Sequence, residues 1–404
     1  MWKYRRIFFE VKKISLVLLV GGKGTRIKSI TKNVPKPLIK IKKFIFLDYL
    51  ITNLCKFNLD RIYLMIGYKS HLFKKYNNRT INFVKIKCIY ENKPMGTAGT
   101  LYSLKKLIKK DFIVCNGDSI FDIDLAHFTK TKITNKLIKI TLVKNLNYKS
   151  NKKLTSINTH KKIIYFQKRS KYMNGGIYLF TKQIFKFINN KPSSLEDNII
   201  PHLIRMKKVI GNKYNNFFID IGTPTNLMKA KKLIPKYFYR PAVFLDRDGV
   251  INYDKGYTHK ISQFKFKPKV LQTIQYLNKK KYYIFIVTNQ AGIAKGKFTI
   301  DQFYRLHNYI KQHLIKKNAY INDVEFCPFH PNAIIKKYRK KSKYRKPGNL
   351  MIKNLFNKWP IIKKRSFMIG DTKSDEMAAL KSNIKFEYVK KNIYLQVKKI
   401  TSNY

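Results

Sequence analysis

Acidic residues are scarce in this sequence: 21 Asp and Glu stand against 86 Lys and Arg, and the formal net charge is +65. A charge of this sign suits a nucleic-acid-binding protein, because cationic surfaces release counterions from polyanions. The excess of Lys, Ile, Asn and Tyr nevertheless runs along the whole chain, and no zinc-finger, RNA-recognition or zipper pattern concentrates it. We therefore attribute the charge to compositional bias, predict no nucleic-acid partner, and expect the field to attract phosphorylated substrates.

Cysteine and long apolar runs are also scarce. The four cysteines are scattered and form no C-x-x-C pair, which indicates reduced thiols and a cytoplasmic protein rather than a disulfide framework. No segment approaches the roughly 18 consecutive apolar residues of a membrane helix, so no membrane partner is predicted. The basic residues 1–13 imitate the start of a signal peptide, but the apolar run after them is short and leads into a glycine loop. We interpret 1–13 as an N-terminal extension.

The sequence contains enough apolar residues for two folded domains. It has 404 residues, of which 44% are hydrophobic, and the usual size of a domain then predicts two. Strand-like and helix-like segments alternate, which predicts an α/β fold with a three-layer α/β/α sandwich and a mixed, mostly parallel sheet in the first half. We expect a first domain over 14–232, a basic linker at 233–240 and a second α/β domain over 241–404.

A glycine-rich loop follows the first apolar strand. Residues 14–20 have the β-branched, apolar character of a buried strand, and Gly-Gly-x-Gly at 21–24 comes directly after them. Glycines here let backbone N–H groups approach phosphate oxygens, and Arg26 and Lys36 add positive charge. The loop matches neither the G-x-G-x-x-G dinucleotide motif nor a Walker loop. A glycine turn with incidental basic neighbours is the alternative.

Two aspartates end predicted strands of the first domain. The apolar residues 112–115 lead to Asp118, and residues 217–219 lead to Asp220. A carboxylate at a strand end beside a phosphate loop suits Mg²⁺, which prefers hard oxygen ligands together with substrate phosphates. Either aspartate alone fits a turn or a cap equally well, whereas the pair predicts a metal site.

The motif Gly-Gly-x-Gly-Thr-Arg at 21–26, followed by Pro-Lys-Pro at 35–37, resembles the signature of sugar-1-phosphate nucleotidyltransferases. The resemblance implies that a sugar-1-phosphate oxygen attacks the α-phosphorus of a nucleoside triphosphate and that pyrophosphate leaves. Such reactions depend on positioning and charge neutralisation. The resemblance also implies Mg²⁺ at the aspartate pair, with Arg26 and Lys36 as catalytic cations.

Three further segments, 116–125, 174–178 and 194–197, are similar to one branch of that family, the D-glycero-D-manno-heptose 1-phosphate guanylyltransferases. This resemblance implies a sugar-phosphate site and a nucleotide site. The implied sugar-phosphate ligands are Lys168, Asn174, Gly175 and Glu196, and the implied nucleotide ligands are Gly21, Gly22, Gly24, Thr25, Glu91, Gly96 and Thr97. Gln167 stands where the family has Glu, which leaves the sugar selectivity open.

Glu91 bears on the identity of the nucleotide. A carboxylate here can accept hydrogen bonds from the ring N–H and the amino group of guanine, which favours GTP over UTP. Backbone groups of the loop 94–99 could equally read the base. We therefore expect transfer of GMP and keep a different nucleoside triphosphate as the alternative.

The second domain begins with an apolar strand at 241–245 that ends in Asp246 and Asp248. One carboxylate of such a pair can attack phosphorus while the other moves protons to and from the leaving oxygen. Alone, the D-x-D-G motif also fits a turn or a calcium loop. Further polar residues follow predicted strands and loops downstream, namely Thr288, Asn289, Arg345, Lys346, Asp371 and Asp375.

Taken in this order, these motifs resemble those of the haloacid-dehalogenase-like phosphatases, which have a Rossmann-like α/β domain. Segments 256–259 and 288–296 further resemble the heptose 1,7-bisphosphate phosphatases, relatives of histidinol phosphatase. The resemblance implies a separate role for each polar residue. Asp246 would form an aspartyl-phosphate, and Asp248 would transfer protons. Thr288 and Lys346 would neutralise the transferred group, and Asn289 and Arg345 would contact the sugar phosphate. Mg²⁺ would be held by Asp246, the Asp248 carbonyl and Asp371, and Asp375 would orient the site.

Many members of this branch carry a zinc loop of three Cys and one His. Here Cys327 and His330 are present, but Phe329 stands where the ligand histidine is expected, and Ser342 and Tyr344 stand where two cysteines are expected. Tetrahedral zinc needs four nitrogen or sulfur ligands. We therefore predict no zinc and a loop held by packing.

The two resemblances describe consecutive reactions: a phosphatase yields heptose 1-phosphate, and a guanylyltransferase converts it to GDP-heptose. The alternatives are the same chemistry on another sugar such as mannose 1-phosphate, one inactive half that serves as a scaffold, or a basic nucleic-acid-binding protein on a decayed enzyme. The aspartates retained in a chain so poor in acidic residues argue against the last alternative. The sequence leaves open whether the chain forms a homo-oligomer.

Overall fold

The structure, a computed structural model, describes residues 13–22, 24, 34–130, 133–144, 157–160, 163–166 and 170–402. Contacts divide the chain into two compact units. The first comprises Lys13–Leu54 and Leu59–Ile234, and the second contains Pro235 onward together with Cys55–Asn58. None of the described helices is both long and apolar enough to cross a bilayer.

The first half of the chain alternates strands and helices. Its described strands are β1 (Ile14–Leu19), β2 (Lys40–Ile41), β3 (Phe44–Ile45), β4 (Leu59–Ile66), β5 (Thr80–Ile81), β6 (Val84–Tyr90), β7 (Phe112–Asn116), β8 (Ser119–Phe121), β9 (Ile138–Lys144), β10 (Ile157–His160), β11 (Ile163–Phe166), β12 (Tyr172–Phe180), β13 (Val209–Tyr214) and β14 (Phe218–Asp220). Its described α-helices are α1 (Phe46–Cys55), α2 (Gly96–Tyr102), α3 (Leu125–Lys130), α4 (Ile200–Arg205) and α5 (Pro224–Phe238). Shorter helical turns are Lys36–Leu38, Ser70–Tyr76, Lys182–Lys186 and Leu195–Ile199.

A ten-stranded sheet forms the centre of the first unit, in the order β10-β11-β13-β9-β12-β7-β1-β4-β6-β5. All of these strands run in one direction except β5, β11 and β12, so the sheet is mixed and mostly parallel, as predicted. Leu16, Val17 and Leu18 of β1 are fully buried. Such a continuous apolar run is expected where both faces of a parallel sheet are covered.

Strand β1 marks the point at which the order of the strands reverses. It pairs in parallel with β4 on one side and with β7 on the other, because the chain fills the β4 side first and later returns to β7. Ligands of open α/β sheets bind beyond the carboxyl ends of the strands at such a reversal. The glycine loop after β1 therefore lies beside the turn after β7, where the Gly117 N–H donates to the Leu19 carbonyl at 3.0 Å.

The second unit is a parallel five-stranded α/β sheet. Its strands are β15 (Ala242–Leu245), β16 (Tyr283–Asn289), β17 (Asp323–Cys327), β18 (Phe367–Gly370) and β19 (Lys385–Tyr388), in the order β17-β16-β15-β18-β19. All four pairings are parallel. The order reverses between β15 and β18, so a ligand site is expected beyond their carboxyl ends. The described helices are α6 (Val270–Lys279), α7 (Ala291–Ala294), α8 (Ile300–Lys316), α9 (Leu350–Lys358), α10 (Lys373–Leu380) and α11 (Ile393–Ser402).

Helix α8 covers one face of this sheet and begins at a capping box. The Thr299 hydroxyl accepts from the Gln302 N–H at 3.2 Å, and the Gln302 side chain accepts from the Thr299 N–H at 2.8 Å. Leu306, Ile310 and Leu314 are then buried at helical spacing. His307 lies on the same buried face, which directs a histidine toward the interior of the unit.

The segment expected to be a linker, 233–240, is helical as far as Phe238. Helix α5 begins at Pro224 and continues through Pro235. Leu227, Ala230, Ile234 and Phe238 form one buried stripe along it. A buried face that continues through the helix explains why the proline does not end it here.

Candidate active sites

Asp246 and Asp371 follow the neighbouring strands β15 and β18, where the order of the second sheet reverses. The Asp246 N–H donates to the Ile369 carbonyl at 3.1 Å, so the two strand ends meet directly. Gly249 turns the chain back with a φ of 81°, and a Cβ at this position would overlap the Asp371 carboxylate. Only glycine fits the turn that leaves this space open.

Lys346 lies buried between two carboxylates. Its Nζ is 2.9 Å from Asp246 Oδ1 and 2.5 Å from Asp375 Oδ1, and it donates to the Val287 carbonyl at 2.9 Å. Burial alone would lower the pKa of Lys346, but the two carboxylates raise it above its usual value, so the ammonium stays charged. Asp375 is the third residue of α10 and accepts from the N–H of its N-cap, Thr372, at 3.1 Å, which fixes the carboxylate that holds the lysine.

Carboxylate oxygens of Asp246, Asp371 and Asp375 lie within 4.8 Å of one another, the one group of this kind in the part of the chain that the structure describes. Three carboxylates face one ammonium, which leaves an excess of negative charge. Burial, only partly opposed by Lys346, raises the pKa of Asp246 to about 6. Burial and repulsion from Asp375 also raise the pKa of Asp371. These hard oxygen donors fit a divalent cation such as Mg²⁺, which would offset the excess charge.

Asp248 lies at the same strand end but outside that carboxylate group. Its carboxylate accepts from the Arg247 guanidinium, with 2.7 Å between Nη2 and Oδ2, and from the Gln290 side-chain amide at 3.0 Å. The same amide nitrogen is 2.9 Å from the buried hydroxyl of Thr288. The structure thus brings the predicted proton-transfer residue and the predicted phosphate ligand Thr288 together through Gln290.

Asn289 and Arg345 flank Lys346. The Asn289 side chain exchanges two hydrogen bonds with the Lys346 backbone, at 3.0 and 3.1 Å, and so holds the loop that carries the lysine. Arg345 is half-buried, and its Nη1 is buried with no hydrogen-bond partner among the described residues. Burial lowers the pKa of Arg345. A buried donor of this kind is suited to an anionic ligand, because an unmade hydrogen bond is costly.

The loop that contains Cys327 and His330, beside Arg345, is fixed by hydrogen bonds and packing. The Cys327 thiol donates to the Phe329 carbonyl at 3.8 Å, and the His330 N–H donates to the Tyr338 carbonyl at 3.1 Å. The Tyr344 hydroxyl bonds to the Glu325 carboxylate, and the Lys340 ammonium lies 4.0 Å from the centre of the Phe329 ring. The absence of zinc stays a prediction.

In the first unit, Gly21 and Gly67 lie against the Glu91 carboxylate. A Cβ at Gly21 would be 2.8 Å from the Gly67 nitrogen, and one at Gly67 would be 2.7 Å from Glu91 Oε2. Burial raises the pKa of Glu91, and its Oε1 is buried with no hydrogen-bond partner among the described residues. The glycines therefore leave a buried acceptor beside the loop that follows β1.

Lys36 and Asp118 meet at the other side of this loop, with 3.6 Å between Nζ and Oδ2. The Lys36 stem packs under Gly24, where φ is 65° and a Cβ would be 2.9 Å from Lys36 Cγ. Among the described residues, a Cβ at Gly22 would meet nothing within 4 Å. Three predicted ligands, Thr25, Arg26 and Lys168, lie outside the described residues.

Strand β14 brings Asp220 to the turn that carries Asp118. Asp220 pairs with Ser119 across β8 and β14, and the Ile221 N–H donates to the Asp118 carbonyl at 2.9 Å. The Asp220 carboxylate accepts from the Gly222 N–H at 2.9 Å and from the Asn226 amide at 2.7 Å. These bonds fix the Asp220 carboxylate at the turn whose backbone adjoins Asp118, and the metal pair stays a prediction.

The predicted nucleotide loop and sugar segment are joined by hydrogen bonds. The Thr97 hydroxyl donates to Glu196 Oε2 at 2.7 Å, and the Tyr178 hydroxyl donates to Glu196 Oε1 at 3.4 Å while accepting from the Asn174 amide at 2.7 Å. Burial, followed by the Glu196 charge, raises the pKa of Tyr178 well above its usual range, so it remains a phenol. Gly96, next to Thr97, lets the nucleotide loop lie this close to the sugar segment.

Two of the predicted glycines allow close approaches in this region. Gly96 has a φ of 69°, and a Cβ there would overlap the Ser193 carbonyl. A Cβ at Gly175 would be 2.6 Å from the Phe121 ring. Both glycines therefore have a packing reason beside the binding role predicted for them.

Sequence reasoning missed three side chains of the two sites. Arg247 occupies the variable position of the D-x-D motif, Gln290 follows the Thr-Asn pair of β16, and Tyr178 ends the segment 174–178. Only Tyr178 had a signal in the sequence, namely its position four residues after Asn174 in a predicted sugar segment. The structure brings the two side chains together because the register of their strand shifts between them. Arg247 and Gln290 are revealed by their contacts alone.

Each unit thus carries carboxylates, a lysine and close-packed glycines where the strand order of an α/β sheet reverses, which defines a phosphate-handling enzyme with two active sites. The nucleotidyl transferase family profile matches residues 15–237, and the polynucleotide kinase 3 phosphatase profile matches residues 244–393. The chain therefore belongs to the nucleotidyl transferase family, and its second unit belongs to the family of the heptose bisphosphate phosphatases.

Two curated relatives each match one unit. D-glycero-beta-D-manno-heptose-1,7-bisphosphate 7-phosphatase of Rhodopseudomonas palustris is 41% identical over 162 residues, which are 40% of this chain and 90% of the relative. D-glycero-alpha-D-manno-heptose 1-phosphate guanylyltransferase of Campylobacter jejuni is 33% identical over 213 residues, 52% of this chain and 94% of the relative. Among solved structures, HddC from Yersinia pseudotuberculosis is 27% identical, with a TM-score of 0.46 over 55% of this chain and 99% of that chain. The two curated relatives confirm both predicted enzyme classes.

Proposed function

We propose that this chain is a bifunctional enzyme of nucleotide-sugar synthesis that converts heptose 1,7-bisphosphate to GDP-heptose in two consecutive steps. One relative is named for removal of the 7-phosphate, and the other is named for guanylyl transfer to heptose 1-phosphate. The product of the first reaction is the substrate class of the second. The observation that carries the proposal is that each unit has its own cluster of strand-end carboxylates with a lysine.

In the phosphatase unit, Asp246 attacks the phosphorus of the 7-phosphate, and the bond to the sugar oxygen breaks as the aspartyl-phosphate forms. Asp248 gives a proton to the leaving oxygen and then accepts one from the water that hydrolyses the aspartyl-phosphate. Lys346 and Thr288 neutralise the transferred group, since both lie beside the strand end that carries the nucleophile. The unpaired Arg345 donor is suited to the 1-phosphate.

In the nucleotidyltransferase unit, an oxygen of heptose 1-phosphate attacks the α-phosphorus of GTP and pyrophosphate leaves. Lys36 and Arg26 stabilise the charge that develops on phosphate oxygens. The buried Glu91 carboxylate accepts from guanine, and the network of Asn174, Tyr178 and Glu196 receives the sugar, with Lys168 on its phosphate.

Mg²⁺ is the metal we assign to both sites. Asp118 and Asp220 would hold it in the first unit, and Asp246, Asp371 and the Asp248 carbonyl would hold it in the second. When bound, the ion neutralises charge on the reacting phosphates. The four cysteines are buried and none is in a disulfide, which supports the reducing cytoplasm as the place of reaction.

We also propose which anomer this chain uses, from the order of the two steps. The phosphatase relative is named for the β-anomer and the guanylyltransferase relative for the α-anomer. Removal of the 7-phosphate leaves the configuration at carbon 1 unchanged, so the second reaction dictates the anomer that the first must accept. We therefore assign the α-1,7-bisphosphate to this chain.

The proposal is tested by incubating the purified chain with heptose 1,7-bisphosphate, GTP and Mg²⁺ and measuring phosphate, pyrophosphate and GDP-heptose. The α-anomer should yield phosphate and pyrophosphate in equal amounts, and omission of GTP should leave phosphate release alone. The β-anomer should yield phosphate without pyrophosphate or no product. Turnover of mannose 1-phosphate in preference to heptose 1-phosphate, or of UTP in preference to GTP, would contradict the assigned substrates.

A further inference from the structure

Arg247 stands between the two reacting aspartates in the sequence, and its side chain is fully buried. Its guanidinium forms a fork on the neighbouring carboxylate, with 3.1 Å from Nε to Asp248 Oδ1 and 2.7 Å from Nη2 to Asp248 Oδ2. Two parallel charge-assisted bonds fix the plane of a carboxylate as well as its position. Arg247 therefore determines where Asp248 directs its oxygens.

The remaining guanidinium donors are held by buried acceptors. The second N–H of Nη2 is shared between the Thr258 carbonyl at 2.8 Å and Gln290 Oε1 at 3.2 Å, and Nη1 donates to His307 Nε2 at 3.3 Å. Arginine has no acceptor, so this His307 nitrogen must be unprotonated. Burial, followed by the Arg247 charge, lowers the pKa of His307 well below its usual value, in agreement with a neutral ring. The guanidinium is thus fixed from three sides.

Two neutral donors complete the surroundings of Asp248. The Asn252 amide donates to Oδ1 at 3.0 Å, and the Gln290 amide donates to Oδ2 at 3.0 Å. Together with the arginine fork, they occupy the lone pairs of both oxygens. Bonds from the two neutral amides are weaker than those from the charged guanidinium. Either amide bond can therefore break and leave its Asp248 oxygen open to a proton, while the arginine fork stays in place.

We propose that Arg247 is a positioning residue for proton transfer by Asp248, held in turn by His307 and Gln290. This inference rests on the proposed phosphatase reaction. In its first step the Asp246 oxygen bonds to phosphorus, the bond to the leaving oxygen breaks, and that oxygen takes the Asp248 proton. In the second step water bonds to phosphorus, its proton passes to Asp248, and the bond to Asp246 breaks. Arg247 acts on both steps through the orientation of Asp248.

The test compares two substrates that differ in their need for a proton on the leaving group. A sugar alkoxide leaves only when protonated, whereas p-nitrophenolate leaves without a proton. In the full chain with Mg²⁺, R247M should lower kcat for heptose 1,7-bisphosphate by about 100-fold or more, the scale of general acid–base catalysis, and change KM little. With p-nitrophenyl phosphate the same variant should release a burst of about one nitrophenolate per enzyme followed by slow turnover, because the aspartyl-phosphate accumulates when the second step is slow.

R247K, which keeps the charge but lacks the fork, should give an intermediate kcat and a smaller burst. R305M removes an exposed arginine of α8 and should leave both substrates unaffected. Equal losses on the two substrates with no burst in R247M and R247K would overturn the positioning role. If wild-type enzyme hydrolyses the aryl phosphate but not the sugar bisphosphate, the proposed substrate fails while the burst still decides the role of Arg247. If wild-type enzyme hydrolyses neither, both proposals fail.

Discussion

Lys346 and Asp375 form a buried ion pair, with 2.5 Å between Nζ and Oδ1 and both side chains almost fully removed from solvent. The pair matters because Lys346 also contacts Asp246, the predicted nucleophile. A buried ammonium is stable only with its partners in place, since the cost of desolvation is otherwise uncompensated. The phosphatase site therefore depends on an aspartate that does not itself attack phosphorus.

Asp375→Asn tests that dependence. We expect the free energy of unfolding of the second unit to fall by about 3 kcal/mol or more, the range for removing one partner of a buried pair, and phosphatase turnover to fall with it. Urea unfolding and phosphate release measure the two effects. The matched control is Glu376→Gln at the next position, which removes the partner of the exposed Lys373 and should leave both measurements unchanged. An Asp375→Asn protein as stable and active as the wild type would contradict the role given to the pair.

His307 predicts a loss of stability on acidification. Its pKa is lowered in the folded state, so below about pH 6.5 the unfolded chain binds a proton that the folded chain does not. The free energy of unfolding then falls as pH falls, by up to about 1.4 kcal/mol per pH unit for this one group. His307→Gln keeps an acceptor for Arg247 but does not titrate. Urea unfolding between pH 7 and pH 5 should show a smaller pH dependence in His307→Gln than in the wild type.

The control for this comparison is the exposed His127→Gln, which should retain the wild-type dependence. Identical pH profiles for the wild type and His307→Gln would show that the buried imidazole contributes nothing to acid sensitivity.

Tyr178→Phe removes the hydroxyl that joins Asn174 to Glu196. One hydrogen bond of this kind contributes about 1 kcal/mol, so we expect KM for the sugar 1-phosphate to rise by roughly fivefold to tenfold while KM for GTP stays the same. Steady-state pyrophosphate release measures both constants. Tyr165→Phe removes an exposed hydroxyl in the same unit and serves as the control. An equal rise in both KM values would argue for general loosening of the unit.

Glu91→Gln tests the base contact. Its buried Oε1 is the acceptor assigned to guanine, and a mismatched amide would leave a buried donor unpaired. We expect kcat/KM for GTP to fall by about 10-fold to 100-fold, as for loss of a hydrogen bond to a charged group, with little change for UTP. Lys93→Gln, an exposed change nearby, is the control. An unchanged preference for GTP would indicate that the backbone of the loop 94–99 recognises the base instead.

The fold class and the candidate site residues could both be predicted from the sequence because both depend on local signals. An apolar strand that ends in glycine or aspartate identifies a strand end, and parallel strands gather these ends at one edge. Asp246 and Asp371 were predicted in this way, and the structure brings their carboxylates together. Asp118 and Asp220 were likewise predicted from strand ends, and β8 and β14 place their backbones side by side.

The contacts that the sequence did not predict come from distant segments. Arg247 depends on His307 of α8 and on Thr258, and nothing in the D-x-D motif indicates those partners. Helix α5 extends through the expected linker because its buried stripe continues beyond Pro235, a feature visible only once its packing partners are known. Local patterns therefore identify the reacting groups, and tertiary packing identifies the residues that hold them.

The most direct test of the account uses Asp118→Asn and Asp246→Asn in otherwise identical full-length chains, with each reaction measured separately. Asp246→Asn should lose phosphate release from heptose 1,7-bisphosphate by at least about 1000-fold, as expected for a nucleophile, and still release pyrophosphate from heptose 1-phosphate and GTP. Asp118→Asn should show the opposite pattern. Loss of both activities in one variant, or of neither, would contradict two separate active sites on this chain.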